Sequence, residues 1–198
     1  MLKSKAMSHK RILIISAHPE YKGLGDELVK TYLEAARAAG HKVELLELNQ
    51  LDFDPILHHG YKQTQKLEPD LQRAQTAISQ ADHLVFVYPV WWENMPALLK
   101  GFVDRVFLPD FAFRYTKTIP EQLLKGKSGR IIVTMDGPEL YDRLITRRIS
   151  TRVLERAVLK FCGVSPVRIT RITSTRRLNQ QKILSLIESI KKLATKGE

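Results

Sequence analysis

The chain has 198 residues, a single cysteine and a formal net charge of +11. This length supports one substantial core and is short for two, so we expect one domain over residues 10–198, after a disordered extension over residues 1–9. One cysteine, Cys162, excludes a disulfide framework. No apolar run reaches the ~18 residues of a membrane-spanning helix, and the opening residues lack the apolar stretch of a secretory signal. We therefore expect a cytoplasmic protein with no stable membrane insertion.

The positive charge is confined to the last third of the chain. Residues 1–124 carry 15 basic and 15 acidic residues, whereas residues 125–198 carry 17 and 6. This excess fits a face for a polyanion, a surface near a site for a phosphorylated dinucleotide, or solvated helix faces without a partner. The pairs Arg147-Arg148 and Arg176-Arg177 have no aromatic residues interleaved for base stacking, so we expect no nucleic-acid partner.

The apolar periodicity predicts five strands, each followed by a helix. The strands are predicted over residues 11–17, 42–48, 83–88, 129–135 and 167–173. The helices are predicted over residues 26–39, 68–81, 98–106, 141–161 and 179–194. Strands that alternate with helices in this way form a parallel sheet with right-handed crossovers, so we expect an α/β fold with helices on both faces of the sheet.

One stretch, Tyr88–Phe107, combines the end of a strand, a loop and the start of a helix. The loop holds the only two tryptophans, Trp91 and Trp92, between Pro89 and Pro96, and the two prolines stiffen it. Loops at the carboxyl ends of strands bind ligands in open α/β sheets, which favours a flat aromatic ligand here. The alternative is that both indoles pack in the core or at a subunit interface.

The chain resembles the flavodoxin-like NAD(P)H:quinone oxidoreductase family over about residues 10 to 175. The matching residues occur in the family's order: His18-Pro19, Pro89, Trp91-Trp92, Met95-Pro96-Ala97, Leu99-Lys100-Gly101, Asp104-Arg105-Val106, Phe111-Ala112-Phe113, Thr134-Met135-Asp136-Gly137-Pro138 and Tyr141. The resemblance implies a five-stranded parallel sheet of order 2-1-3-4-5 with helices on both faces. It also implies a homodimer that binds a flavin, FMN or alternatively FAD, and takes electrons from NAD(P)H.

The loop after the first strand is predicted to hold the flavin phosphate, because it leads into a helix N-terminus with unpaired backbone N–H groups. The residues that we assign to this role are His18, Lys22, Gly23, Leu24 and Gly25. The loop departs from the family pattern, since no Ser, Thr or Asn lies between His18 and Leu28 and the acids Glu20, Asp26 and Glu27 bring negative charge. Those acids also fit a helix N-terminus that binds nothing.

By resemblance, the remaining cofactor contacts come from two further loops. They are Pro89, Val90, Trp91 and Trp92 after the third strand, with backbone groups reading the ring's polar rim, and Met135, Asp136 and Gly137 after the fourth. Tyr141 is the candidate catalytic donor to the reduced flavin, or else a helix-start residue at the sheet edge. Trp92, Phe111 and Phe113 are assigned to a substrate pocket shared with the partner subunit. We expect Glu93 to point to solvent or to pair with a base.

The pair His58-His59 has no further ligand nearby in the sequence, so we predict an exposed loop and no metal site. The resemblance implies a flavin-dependent enzyme that passes a hydride from NAD(P)H through the flavin to a small-molecule acceptor, a quinone or similar, in a ping-pong order. The alternative is a non-catalytic ancillary or regulatory subunit of a membrane transport system, which the unusual first loop favours.

Overall fold

The structure, a computed structural model, describes residues 9–18 and 23–198. Lys22 and all but the last residue of the expected N-terminal extension therefore lie outside the described residues. The strands are β1 Arg11–Ser16, β2 Lys42–Glu47, β3 His83–Pro89, β4 Phe113–Arg114, β5 Glu121–Gln122, β6 Ser128–Thr134 and β7 Val167–Ile172. The α-helices are α1 Leu24–Ala38, α2 Pro69–Gln80, α3 Ala97–Val106, α4 Glu139–Leu144, α5 Ile149–Arg152 and α6 Gln180–Thr195.

The main sheet is parallel and has the order β2-β1-β3-β6-β7. The five predicted strands thus lie in the order 2-1-3-4-5, which confirms the predicted flavodoxin-like fold. Each central strand buries both faces, since the side chains of a strand alternate. In β1, Leu13 and Ile15 pack toward α2 and α3, while Ile12 and Ile14 pack toward α1 and α6. No described helix is both long enough and apolar enough to cross a membrane.

The prediction of one helix over residues 141–161 is wrong. Helix α4 ends at Leu144, and a new helix begins at Ile149 as α5 and continues as a π-helix over Val153–Lys160. The chain turns between them with Arg147 and Arg148 at φ of 51° and 60°. The turn is closed by Asp142, whose carbonyl oxygen accepts hydrogen bonds from the Arg148 amide at 2.7 Å and the Thr146 hydroxyl at 2.9 Å. Apolar spacing alone does not reveal this break, because it continues across the turn.

The Asp142 side chain explains why the turn is fixed in place. It is almost fully buried and forms an ion pair with Arg171 of β7, with 3.4 Å between Oδ2 and Nε. Arg171 also donates a hydrogen bond to the Thr151 hydroxyl. The break in the helix is therefore held to the last strand by a buried charge pair, which leaves the rest of α4 exposed.

The connection between β2 and α2 was not predicted in detail, and it packs against α3. Gly101 allows the close approach, because a Cβ built there would lie 2.4 Å from the Pro55 side chain and 2.7 Å from its carbonyl oxygen. Arg105, which is fully buried, donates hydrogen bonds to the carbonyls of Asp54 and Lys66 and pairs with Glu68 at 2.8 Å. A small antiparallel hairpin of β4 and β5 follows α3 and was also not predicted.

A buried histidine at the amino end of β3 makes folding sensitive to acid. Burial, reinforced by nearby Lys10, Arg130 and Arg168, lowers the pKa of His83 from 6.5 to about 3. The neutral ring is hydrogen-bonded to the Ser128 hydroxyl at 2.7 Å. Below pH 6.5 this histidine takes up a proton in the unfolded chain but stays neutral in the folded chain. The free energy of unfolding therefore keeps its full value above pH 6.5 and decreases as the pH falls toward 3.

We therefore expect His83→Asn to flatten the loss of stability with falling pH. In the wild type, His83 contributes up to about 1.4 kcal/mol per pH unit to the decrease in the free energy of unfolding between pH 6 and pH 4. Urea unfolding at several pH values measures the slope. The matched control is His59→Asn on an exposed loop, which should leave the slope unchanged. An unchanged slope in His83→Asn would mean that this ring is not kept neutral by the fold.

Candidate functional site

The carboxyl ends of β1, β3, β6 and β7 form one edge of the sheet, and a cleft of about 300 Å³ opens there. The cleft is lined by His18, Gly23, Leu24, Gly25, Pro89, Trp91, Thr134 and Thr175. A larger cavity of about 530 Å³ lies along α2, but none of its lining residues has a buried unpaired polar atom. Size alone therefore does not locate a binding site in this chain, whereas the chemistry of the lining does.

His18 is the most distinctive residue of the cleft. Its Nε2 atom is shielded from solvent and has no hydrogen-bond partner among the described residues. Burial lowers the pKa of the imidazole to about 4, and the nearby Asp26 carboxylate opposes that shift only in part. The ring is therefore neutral at pH 7. A buried polar atom without a partner costs free energy unless a ligand supplies the missing hydrogen bond.

Gly25 lets the His18 ring lie where it does. A Cβ built on Gly25 would come within 2.0 to 2.3 Å of three ring atoms, so no other residue type fits beside the ring in this position. Gly23 differs, since nothing described lies within 4 Å of a Cβ built there. The backbone of α1 thus approaches the ring at Gly25 and leaves open space at Gly23.

The first turn of α1 provides a second group of donors. The N-cap residue is Gly23, and no side chain in the described part of the chain caps the helix. The amides at the start of a helix have no partners within it, and the helix dipole favours an anion there. Asp26 and Glu27 lie in the same turn, with Asp26 half-buried and Glu27 exposed. The amides, together with a neutral imidazole, are a donor set that fits a phosphate group.

The loop after β3 is a tight turn with an exposed tip. Trp91 and Asn94 exchange two backbone hydrogen bonds of 2.9 Å, and between them Trp92 and Glu93 have φ of 50° and 57°. Glycine or asparagine usually occupies both positions of such a two-residue turn. Tryptophan and glutamate at positive φ therefore strain the backbone. Trp91 lines the cleft, Trp92 is 100% exposed, and Glu93 is exposed as expected.

Two backbone amides of this loop are already hydrogen-bonded within the chain. The amide of Val90 donates to the carbonyl of Thr134 at 2.8 Å, and the amide of Trp91 donates to the carbonyl of Asn94. Val90 itself packs against the core. Both amides are consumed in joining the loop to the sheet and closing its turn, so neither is free for a ligand.

The loop after β6 supports the cleft without lining it. Met135 is buried, and its amide donates to the carbonyl of Ile172 at 2.8 Å. The exposed Asp136 carboxylate pairs with Arg176 at 2.9 Å and accepts a hydrogen bond from the Thr175 hydroxyl. The carbonyl of Gly137 accepts from the Ser174 amide. These contacts tie the loops after β6 and β7 together and orient Thr175, a cleft residue.

The candidate catalytic and substrate residues lie outside the cleft of a single chain. Tyr141 is exposed on α4. Phe113 is buried, with its ring 5.2 Å from that of Tyr115 and 5.0 Å from that of Phe161, and it borders a separate cavity of about 300 Å³. Phe111 is half-buried against the core. The structure therefore brings His18, Gly23, Leu24, Gly25, Pro89 and Trp91 together, and it does not bring Phe111 or Phe113 to them.

Two cleft residues, Thr134 and Thr175, were not assigned to the site from the sequence. Thr134 is the last residue of β6, and Thr175 follows β7. The available signal was the topology itself, because the loop after the fifth strand reaches the same edge as the loops after the first, third and fourth. As for a metal, the described residues contain no group of histidine, cysteine and acidic side chains that could hold one.

A family model described as a flavodoxin-like fold matches residues 10–193. The ribosyldihydronicotinamide dehydrogenase [quinone] of Pongo abelii is 29% identical over 182 residues, which cover 79% of this chain and 78% of that protein. The crystal structure of Smu.1420 from Streptococcus mutans UA159 is 32% identical with a TM-score of 0.81, covering 93% of this chain and 98% of that one.

An FMN-dependent NADH-azoreductase from Bacillus anthracis, solved in complex with FMN, has a TM-score of 0.77 at 22% identity. The match covers 93% of this chain and 97% of the azoreductase chain, and at this identity it shows a shared fold. The sheet order and the cleft at its carboxyl edge define a flavodoxin-like protein. The chain belongs to the flavodoxin-like NAD(P)H:quinone oxidoreductase family, as the sequence resemblance predicted.

Proposed function

We propose that this protein is a flavin-dependent NAD(P)H oxidoreductase that passes a hydride from NAD(P)H through the flavin to a quinone or similar acceptor. The observation that carries the proposal is the neutral His18 ring, whose Nε2 has no partner among the described residues. It lies in a cleft with the start of α1 and Trp91, and no described side chain caps that helix. The names of the relatives support the same chemistry, since they include a quinone dehydrogenase and an FMN-dependent azoreductase.

The residues of the cleft divide into two groups by what they could hold. His18 and the first-turn amides of α1 would receive the phosphate, with the hydroxyl of Thr134 nearby. Trp91 would supply an aromatic wall for the ring system. When bound, the flavin supplies the hydride chemistry, and the protein supplies orientation and electrostatics. We favour FMN over FAD, because the FMN-dependent azoreductase of the same fold was solved in complex with FMN.

The protonation state of His18 matters for this assignment. A neutral imidazole with a shielded Nε2 can donate one hydrogen bond to an anion without adding a charge. Asp26 and Glu27 lower the attraction of the site for a phosphate, so the affinity depends more on directed hydrogen bonds than on net charge. Because the pKa of His18 is about 4, the imidazole stays neutral from pH 8 down to about pH 5.

An absorbance titration of the purified protein with FMN and with FAD, read from the near ultraviolet to the blue, tests flavin binding. We expect saturable binding of FMN. Bleaching under anaerobic conditions by NADH or NADPH, followed by recovery on adding a quinone, tests the reaction and its ping-pong order. Protein that binds neither flavin would contradict the proposal. Tight flavin binding without oxidation of NAD(P)H in the presence of any quinone would favour the ancillary subunit.

Tyr141 is the candidate donor that stabilises negative charge as the hydride is accepted. We expect Tyr141→Phe to slow flavin reduction by roughly a hundred- to a thousand-fold, the usual effect of removing one such donor, because only the hydroxyl is lost. FMN affinity should stay within about two-fold, because the hydroxyl would stabilise the negative charge of the reduced ring and not the oxidised FMN that is titrated. Stopped-flow reduction by NAD(P)H measures the rate. An unchanged rate would leave Tyr141 as a helix-start residue.

The proposal includes a homodimer. Phe113 borders a cavity with Tyr61, Tyr115 and Phe161 that is separate from the cleft of its own chain. Phe113 and Phe111 can thus serve a substrate pocket only if they approach the cleft of a second copy. Sedimentation velocity tests the assembly, and Tyr115→Arg, on the exposed rim of that cavity, should shift the population toward monomer if this face is the contact.

A further inference from the structure

The turn and helix over residues 140–148 present an unusual surface. Leu140 and Ile145 are each 67% exposed, and Leu144 is 59% exposed. Arg143, Arg147 and Arg148 are exposed among them, and their side chains make no ion pair with any described residue. We call these six residues the basic apolar surface. Exposed aliphatic residues next to one another and next to uncompensated arginines are not explained by folding.

The fold holds this surface outward. Leu140 and Leu144 are four residues apart, and Leu140 and Arg143 are three apart, so all three lie on the same side of α4. Asp142 points the other way, into its buried ion pair with Arg171. The acids nearby do little to balance the arginines, because Asp142 is consumed in that pair and Glu155 pairs with Lys160 at 2.6 Å. Glu139 is the remaining exposed acid of α4.

The basic apolar surface also adjoins the cleft. Helix α4 begins two residues after Gly137, whose carbonyl accepts a hydrogen bond from Ser174, and the next residue, Thr175, lines the cleft. The surface therefore lies at the same carboxyl edge of the sheet as the candidate site. Whatever docks there would lie next to the mouth of the cleft.

We propose that the basic apolar surface docks the protein on an anionic lipid bilayer. Aliphatic side chains that enter the interface, together with arginines that meet anionic headgroups, are the combination that reversible attachment requires. A second copy of the chain fits less well, because a twofold contact would place each patch against itself and bring arginines together. Nucleic acid fits less well because exposed leucine and isoleucine offer no base stacking.

The attachment is peripheral, since no described helix could span a membrane. Its consequence for substrate delivery rests on the proposed function: docking in this orientation would place the cleft beside the bilayer, where lipophilic quinones partition. The docking itself does not depend on flavin binding or on catalysis. Its test can therefore fail while the proposed function stands, and the reverse also holds.

Flotation of the full chain with vesicles tests the proposal. One set is phosphatidylcholine alone and the other is equal parts phosphatidylcholine and phosphatidylglycerol. We expect binding to the second set that weakens with added salt. Arg147→Asn combined with Arg148→Asn should lower the partition coefficient roughly 25-fold, at about five-fold for each arginine. Asparagine is chosen because it tolerates positive φ.

Two further variants separate specific docking from diffuse attraction. Leu144→Ser combined with Ile145→Ser keeps the charge and should lower binding by at least about ten-fold, because the apolar contact is lost. Lys192→Gln combined with Lys196→Gln removes the same charge from exposed positions near the other end of the sheet and should change binding by less than about two-fold. FMN affinity and the midpoint of thermal unfolding show that each variant is folded.

Three results would overturn the proposal. The first is no binding to the anionic vesicles by the wild-type chain. The second is an equal loss in the arginine and lysine variants, which would mean that net charge alone drives the attraction. The third is a self-association in sedimentation velocity that Leu144→Ser with Ile145→Ser abolishes, which would assign the surface to a second copy of the chain.

Discussion

Gly25→Ala should lower the affinity for FMN by about ten- to a hundred-fold, or about 1.4 to 2.8 kcal/mol. The new methyl group would lie within 2.0 to 2.3 Å of three atoms of the His18 ring, so the ring must leave its position at the start of α1. The loss falls on binding because the displaced ring carries the unpartnered Nε2 atom assigned to the phosphate. Titration of the purified variant by flavin fluorescence measures it.

The control is Lys30→Ala, on the exposed side of the same helix. Its side chain pairs with Glu34 at 4.0 Å and is not among the residues that line the cleft. We expect an affinity within about two-fold of the wild type, as for a surface substitution. An equal loss at Lys30 would mean that general disturbance of α1, and not the ring of His18, explains the effect.

A double variant gives a sharper test. His18→Ala should weaken FMN binding by itself, and adding Gly25→Ala to it should cost little more, since the ring that the methyl group would meet is gone. Residues in direct contact are expected to deviate from additivity in this way. Additive losses would separate Gly25 from His18 and would contradict the assignment of the ring to the phosphate.

Arg105→Met should lower the free energy of unfolding by roughly 3 to 5 kcal/mol, the cost typical of breaking a buried pair by removing one partner. The guanidinium is fully buried, pairs with Glu68 at 2.8 Å and donates to the carbonyls of Asp54 and Lys66. Burial raises the pKa of Glu68, but hydrogen bonds led by Arg105 outweigh burial and hold that pKa below its usual range. Urea unfolding at pH 7 measures the change.

The control lies on the same helix, one turn earlier. Lys100 pairs with Asp104 at 2.6 Å, as short a contact as that of Arg105, but both side chains are partly exposed to water. We expect Lys100→Met to cost no more than about 0.5 kcal/mol. If Arg105→Met came within about 1 kcal/mol of the wild type, the loop before α2 would be held by its apolar contacts instead.

The sequence predicted the architecture well because the periodicity of the apolar residues is a local property. The run from Ile12 to Ala17 is buried on both faces, as a continuous apolar pattern predicts, and each of the five main strands begins and ends within one residue of its predicted bounds. The prediction failed at residues 141–161, where Asp142 forms a buried ion pair with Arg171. That partner lies 29 positions away, and no local pattern contains it.

The candidate site divides in the same way. The sequence by itself determined that three loops at the carboxyl edge carry His18, the tryptophan pair and Asp136. The ends of the strands and the order of the motifs can both be determined from local sequence. Only the tertiary structure decided which of these residues share a cleft: Gly25 against the His18 ring, Thr175 beside Trp91, and Phe113 on another face. The physical reason is that a cleft consists of contacts between segments far apart in the chain, and those contacts depend on burial and charge pairing that no single segment encodes.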